Sequence, residues 1–135
     1  MTAISRSRRA SPASRHDRGA SSIEMVLALP IVLTVLFLAV QAGMWFYARS
    51  IALAAAQSGA RTSAILGSTL DQGLTDARSF ATDVGGTTLS GVTVTGARSS
   101  TTTTVTVTGH TVRLVPFMDL TVTQTATLPV ERYTR

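Results

Sequence analysis

Residues 25 to 48 read MVLALPIVLTVLFLAVQAGMWFYA and contain no charged side chain. At about 1.5 Å per residue, a helix over this stretch measures roughly 36 Å, enough to cross a hydrocarbon core of about 30 Å. The run is apolar on every side at helical spacing, so it has no polar face to turn toward water. A soluble core helix of this kind needs a large surrounding protein, and a chain of 135 residues leaves little to cover it. The stretch therefore reads as a transmembrane helix. Trp45 and Tyr47 fall near its end, where amphipathic rings favour the membrane interface, and Arg49 follows them. Pro30, inside the run, predicts either a helix kink or the first turns of a frayed helix.

Upstream, residues 1 to 18 (MTAISRSRRASPASRHDR) hold Arg6, Arg8, Arg9, Arg15 and Arg18, much of the basicity behind the formal net charge of +5. A basic tail can neutralise nucleic-acid phosphates. One that runs straight into a hydrophobic segment instead sets orientation in a membrane, with the arginine-rich side cytoplasmic. The tail has no apolar periodicity and reads as disordered. Nucleic acid is accordingly not expected among the partners.

Downstream, the helix should continue past the bilayer. In ARSIALAAAQSGARTSAIL, residues 48 to 66, Ala48, Ala52, Ala56 and Ala60 recur every fourth residue with Ala55 and Gly59 beside them. Alanine is also the best helix former. The additional apolar surface of Ile51, Leu53, Ile65 and Leu66 favours a packing stripe that another element approaches closely. LDQGLTDARSFATDVGG then places Leu70, Leu74, Ala77 and Ala81 at helical spacing, with Phe80 near the same face and Gly85 and Gly86 as the stop. From Thr87 on, valine and threonine alternate, as strands require. The expected turns are Gly96 to Ser100 and a longer connection from Arg113 to Asp119, where Pro116 forbids a central strand. A threonine-rich tract can also be a glycosylated or disordered stalk, but the period-2 valines favour a sheet. The fold class is thus α+β: a long N-terminal transmembrane helix extending outward, a short second helix, and a small antiparallel sheet of about three strands.

No catalytic constellation is visible. The chain has no cysteine, which removes thiol nucleophiles and thiolate metal sites. His16 lies in the leader and His110 in a turn-like TGHT, neither with a second histidine nearby. Asp71, Asp76 and Asp83 read as the solvated face of the short helix. The expectation is a protein that is not an enzyme, with no metal, no cofactor and no small-molecule substrate.

Glu24 is the sole charge between Arg18 and Arg49. With Ser21 three residues before it, it can form a capping box at a helix start. That account does not explain the order of what precedes it. RGASSIEM resembles the prepilin-peptidase site of type IV pilin-like proteins: a basic leader ending in glycine, a small residue, a glutamate, then an apolar helix. Residues 18 to 61 as a whole (RGASSIEMVLALPIVLTVLFLAVQAGMWFYARSIALAAAQSGAR) are similar to the TadE-like family of pseudopilins. In that family the glutamate, a following proline, an aromatic and arginine near the helix end and a closing GAR recur. Met25 departs from the pattern, standing where the family usually carries an aromatic residue.

The resemblance implies cleavage by prepilin peptidase between Gly19 and Ala20, which would make Glu24 the fifth residue of the mature chain. It further implies that Glu24 sets assembly register by meeting the free amine of a neighbouring subunit. On this reading residues 1–19 are a leader, 20–48 the membrane helix and 49–135 an exported α+β domain. The protein is then a minor pseudopilin of a Flp-type tight-adherence pilus in the cytoplasmic membrane, N-terminus inside. Its partners are the lipid bilayer, the peptidase, other pilin and pseudopilin subunits and the pilus assembly platform. The alternative is a small secreted or surface-anchored binding domain released by ordinary signal peptidase, since Val40 and Ala42 suit a cut before Gly43.

Overall fold

The computed structural model describes residues 17–132, with side-chain surroundings from residue 23 onward. Residues 1–16, most of the leader read as disordered, lie outside the described residues. The architecture is α+β: helix α1 (Asp17–Ala64), helix α2 (Leu70–Gly85) and strands β1 (Leu89–Arg98), β2 (Thr102–Thr111) and β3 (Thr121–Pro129). The chain divides into two compact units, one up to Val35 and one from Leu36 onward.

Helix α1 starts before Ser21, so the expected capping box at Ser21 and Glu24 does not form its beginning. It also continues through Pro30, which places that proline in the helix interior and excludes the frayed-start reading. A proline there leaves the carbonyl four residues earlier without its N–H donor. One turn later, the Thr34 hydroxyl donates to the Pro30 carbonyl at 2.7 Å.

Helix α2 is capped as its sequence requires. Thr69 accepts from the Gln72 N–H, and the Gln72 side chain accepts in turn from the Thr69 N–H. At the other end Gly86, with φ of 49°, takes a backbone conformation unfavourable for other residues. The buried face of α2 is a line of small residues: Gly73, Ala77, Ala81 and Gly85. The matching face of α1 is the alanine stripe. Ala48, Ala52, Ala55, Ala56 and Ala60 are all fully buried, which decides for packing over mere helix propensity. Ile51 joins them, whereas Leu53, Ile65 and Leu66 are exposed. Ser58 and Thr62, one turn apart on α1, both donate to the Asp76 carboxylate on α2, at 2.7 and 3.0 Å. Asp76 is therefore tied to α1 and does not belong to a freely solvated face.

The three strands form an antiparallel sheet in the order β1-β2-β3. Their period-2 pattern sorts the side chains: Val94, Val105, Val107 and Val122 are buried with the helices. On the opposite face, threonine pairs Thr104 with Thr127, Thr106 with Thr125 and Thr108 with Thr123, hydroxyl to hydroxyl at 2.9 to 3.2 Å. The strands replace the stalk alternative. Two boundaries differ from expectation. β1 runs on through Gly96 to Arg98, so the turn comprises Ser99, Ser100 and Thr101. The Arg98 guanidinium draws the strand out by donating to the carbonyls of Ser68 and Ile65 just past the end of α1. His110 lies in β2 opposite Ser90, not in a turn.

Within the second unit β2 lies lengthwise along α1. Ser63 and Thr103 meet at one end through their hydroxyls, 2.7 Å apart and both fully buried. At the other end Gln41 bonds the backbone of Val112 and Leu114.

Candidate assembly helix and membrane interface

Each residue from Ile23 to Val40 is exposed. The exposed set includes Val26, Leu27, Leu29, Ile31 and Val32, which point round the full turn, and therefore covers every side of the helix. At about 1.5 Å per residue this stretch supplies roughly 27 Å of apolar rod, the length of a membrane crossing. Helix α1 is thus long and apolar enough to cross a membrane.

Gly19 and Ala20 lie in the first turn of α1 as described. Glu24 follows at the start of the exposed stretch and is itself exposed. Pro30 sits beyond it on the same rod. The three residues read as a membrane interface do not share one environment. Trp45 is partly buried and leans on the core cluster of the second unit. Tyr47 is exposed. The Arg49 guanidinium stands 5.6 Å from the Trp45 ring centroid, a cation–π geometry, and Phe46 meets the same ring edge-on at 5.0 Å.

Sequence reasoning passed over Gln41. It is 1% exposed, donates from Nε2 to the Val112 carbonyl at 3.1 Å and accepts at Oε1 from the Leu114 N–H at 2.8 Å. A neutral amide in a long apolar run carries no charge to draw notice, yet it is the residue at which α1 first joins the folded domain. Contacts between helix and domain thus begin before Ala48, inside the run read as membrane-spanning. The one signal available was polarity: between Glu24 and Arg49, Gln41 and Thr34 are the only side chains with strong hydrogen-bonding groups besides the terminal aromatics.

Elsewhere, His110 Nδ1 lies 3.3 Å from Asp119 Oδ1 on the exposed side. Among the described residues no group of histidine and carboxylate side chains is arranged to hold a metal ion. From Ile23 to Val40 the helix presents apolar surface and a single carboxylate, Glu24, to its surroundings.

Comparison with curated proteins and with solved structures gives no match. Residues 19–61 match the family model described as TadE-like protein. That segment opens on Gly19, takes in Glu24, Pro30 and the alanine stripe, and lies wholly within α1; the chain carries the TadE-like segment that its sequence resembles.

Proposed function

We propose that the protein is a TadE-like minor pseudopilin, a single-pass component of the cytoplasmic membrane that acts by binding in the assembly of a Flp-type tight-adherence pilus. The observation that carries this is the coincidence of the TadE-like segment with a helix whose residues from Ile23 to Val40 are apolar, exposed on all sides and interrupted by one carboxylate. Such a rod needs lipid or other apolar helices around it. In a pseudopilin it has both in turn, first the bilayer and then the neighbouring pilin helices.

On this reading prepilin peptidase cuts between Gly19 and Ala20 at the cytoplasmic face, where the arginine-rich leader is held. The new α-amine of Ala20 then sits close to Glu24 of its own or an adjacent subunit. A carboxylate moved from the membrane edge into a helix bundle is costly unless paired, so subunits staggered to bring amine and carboxylate together are favoured over others. Glu24 selects register in this way, Pro30 bends the rod, and Trp45, Tyr47 and Arg49 stand at the outer interface. The signal-peptidase alternative is disfavoured by Gln41. A cut after Ala42 would discard the side chain that satisfies the backbone of Val112 and Leu114.

N-terminal sequencing and intact mass of the membrane-extracted protein test the reading. A mature chain starting at Ala20 is expected, with Gly19→Leu leaving the leader attached. A start at Gly43 would establish the secreted alternative. Glu24→Ala is expected to insert in the membrane normally but to lose co-purification with pilin subunits; undiminished co-purification would remove the register role.

A further inference from the structure

We propose that the connection between β2 and β3, residues 112–120, is a second membrane-contacting element that rests Phe117 in the headgroup layer where α1 leaves the bilayer. The proposal depends on the membrane-spanning reading of α1 and adds a contact to it.

The placement comes from hydrogen bonds inside the second unit. β2 is fixed to α1 at Ser63 by Thr103, and the chain just beyond β2 is fixed to Gln41 by Val112 and Leu114. The strand therefore runs toward the N-terminal end of α1, and the connection begins beside Gln41. The residues preceding Gln41 in this unit, Leu36, Phe37, Leu38 and Val40, are exposed and apolar. The connection is thus held at the level where the lipid-facing surface of the helix ends.

Its conformation is equally specific. The Met118 N–H donates to the Val115 carbonyl at 3.3 Å, closing a turn with Pro116 and Phe117 at its centre. Phe117 has φ of 70°. Proline followed by positive φ is the type II pattern, in which the third position belongs to glycine. A bulky aromatic residue there is strained, and nothing within the domain compensates, because Phe117 is fully exposed at 103%. Leu114 and Met118 beside it are also exposed.

The charges agree with a headgroup site. Arg113, at the base of the connection, is exposed and has an aliphatic stem that can lie along apolar surface with its guanidinium at phosphate level. Asp119, the acid of the same segment, lies against His110 on the strand. An aromatic tip with an arginine behind it suits the interfacial layer. A second protein would equally cover Phe117, but Gln41 fixes the connection beside the lipid-facing part of α1, and that favours lipid.

The absence of cysteine allows single-cysteine reporters in the full-length protein. Leu114→Cys, which keeps Phe117, carries a nitrobenzoxadiazole label. Leu38→Cys marks the span and Ser100→Cys the far turn. In vesicles of phosphatidylethanolamine and phosphatidylglycerol, the label at 114 is expected to be quenched by headgroup spin-labelled lipid and shielded from iodide, and that at 100 to behave oppositely. Adding Phe117→Ser should reduce the lipid quenching at 114 by about threefold or more. Quenching by lipid at 38 together with full iodide access at 114 would overturn the proposal and leave the span intact. Shielding at 114 without lipid quenching would overturn it in favour of a protein contact. Iodide access at 38 would overturn the membrane reading and this proposal with it.

Discussion

Gly59 on α1 and Gly73 on α2 face each other with no side chain between them. A Cβ on Gly59 would come within 2.5 Å of the Gly73 carbonyl oxygen and 2.7 Å of the Ala77 Cβ. In an exposed helix, glycine to alanine gains about 1 kcal/mol. At this crossing the methyl group must instead push a backbone away, and overpacking of that kind costs about 1–3 kcal/mol. Gly59→Ala is therefore expected to lower stability in denaturant unfolding of the detergent-solubilised protein. Gly43→Ala, in the same helix with nothing within 4 Å of its Cβ, should be neutral or mildly stabilising. Equal effects at the two positions would refute the close crossing.

The buried hydroxyl pair of Ser63 and Thr103 predicts non-additivity. Ser63 also bonds the Ala60 carbonyl at 3.1 Å, which leaves Thr103 as the group stranded when Ser63 is lost. Ser63→Ala should cost about 1–3 kcal/mol, the range for an unsatisfied buried polar group. Ser63→Ala combined with Thr103→Val should cost less than the sum of the single changes, because no polar atom is then left without a partner. Strict additivity in a double-mutant unfolding cycle would count against the pair.

Asp76 accepts two hydroxyls from one face of α1, and hydrogen bonds to an ionised acceptor are the stronger kind. Asp76→Ala is expected to destabilise by about 1–2 kcal/mol. Asp71→Ala, on the exposed side of the same helix, should change stability by less than about 0.5 kcal/mol. Comparison of their unfolding midpoints checks the difference.

Gln41→Leu preserves volume and removes both bonds to the connection after β2. Losing one hydrogen bond of about 1.5 kcal/mol corresponds to roughly tenfold in an opening equilibrium. The Leu114 amide should then exchange with solvent about tenfold faster, while amides of α2 stay unchanged. An unchanged rate at Leu114 would show that other contacts hold the segment.

Much of this was legible from local pattern. The uncharged run, the alanines at every fourth residue and the alternating valines each report a single element's own period, and each element formed. What escaped depended on a second element. Gly73 and Gly85 look like weaknesses in a short helix until α1 lies against them. Asp76 looks like a surface acid until Ser58 and Thr62 arrive from α1. Arg98 prolongs β1 past its glycine because carbonyls at the end of α1 accept its guanidinium. Of the candidate site, the TadE-like segment could be read directly, whereas Gln41 could not, since its role is set by backbone groups some seventy residues away.

Among the described residues, eight of the fourteen buried hydrophobic residues are alanines, and the remainder are valine apart from Ile51 and Leu89. Apolar surface exposed on melting raises heat capacity by about 0.45 cal/mol/K per Å². Alanine releases little such surface, so the heat-capacity increment of this domain falls below the usual increment of about 12–15 cal/mol/K per residue. Its stability curve is expected to be correspondingly flatter, so that the folded domain loses less stability on cooling than one cored in larger side chains.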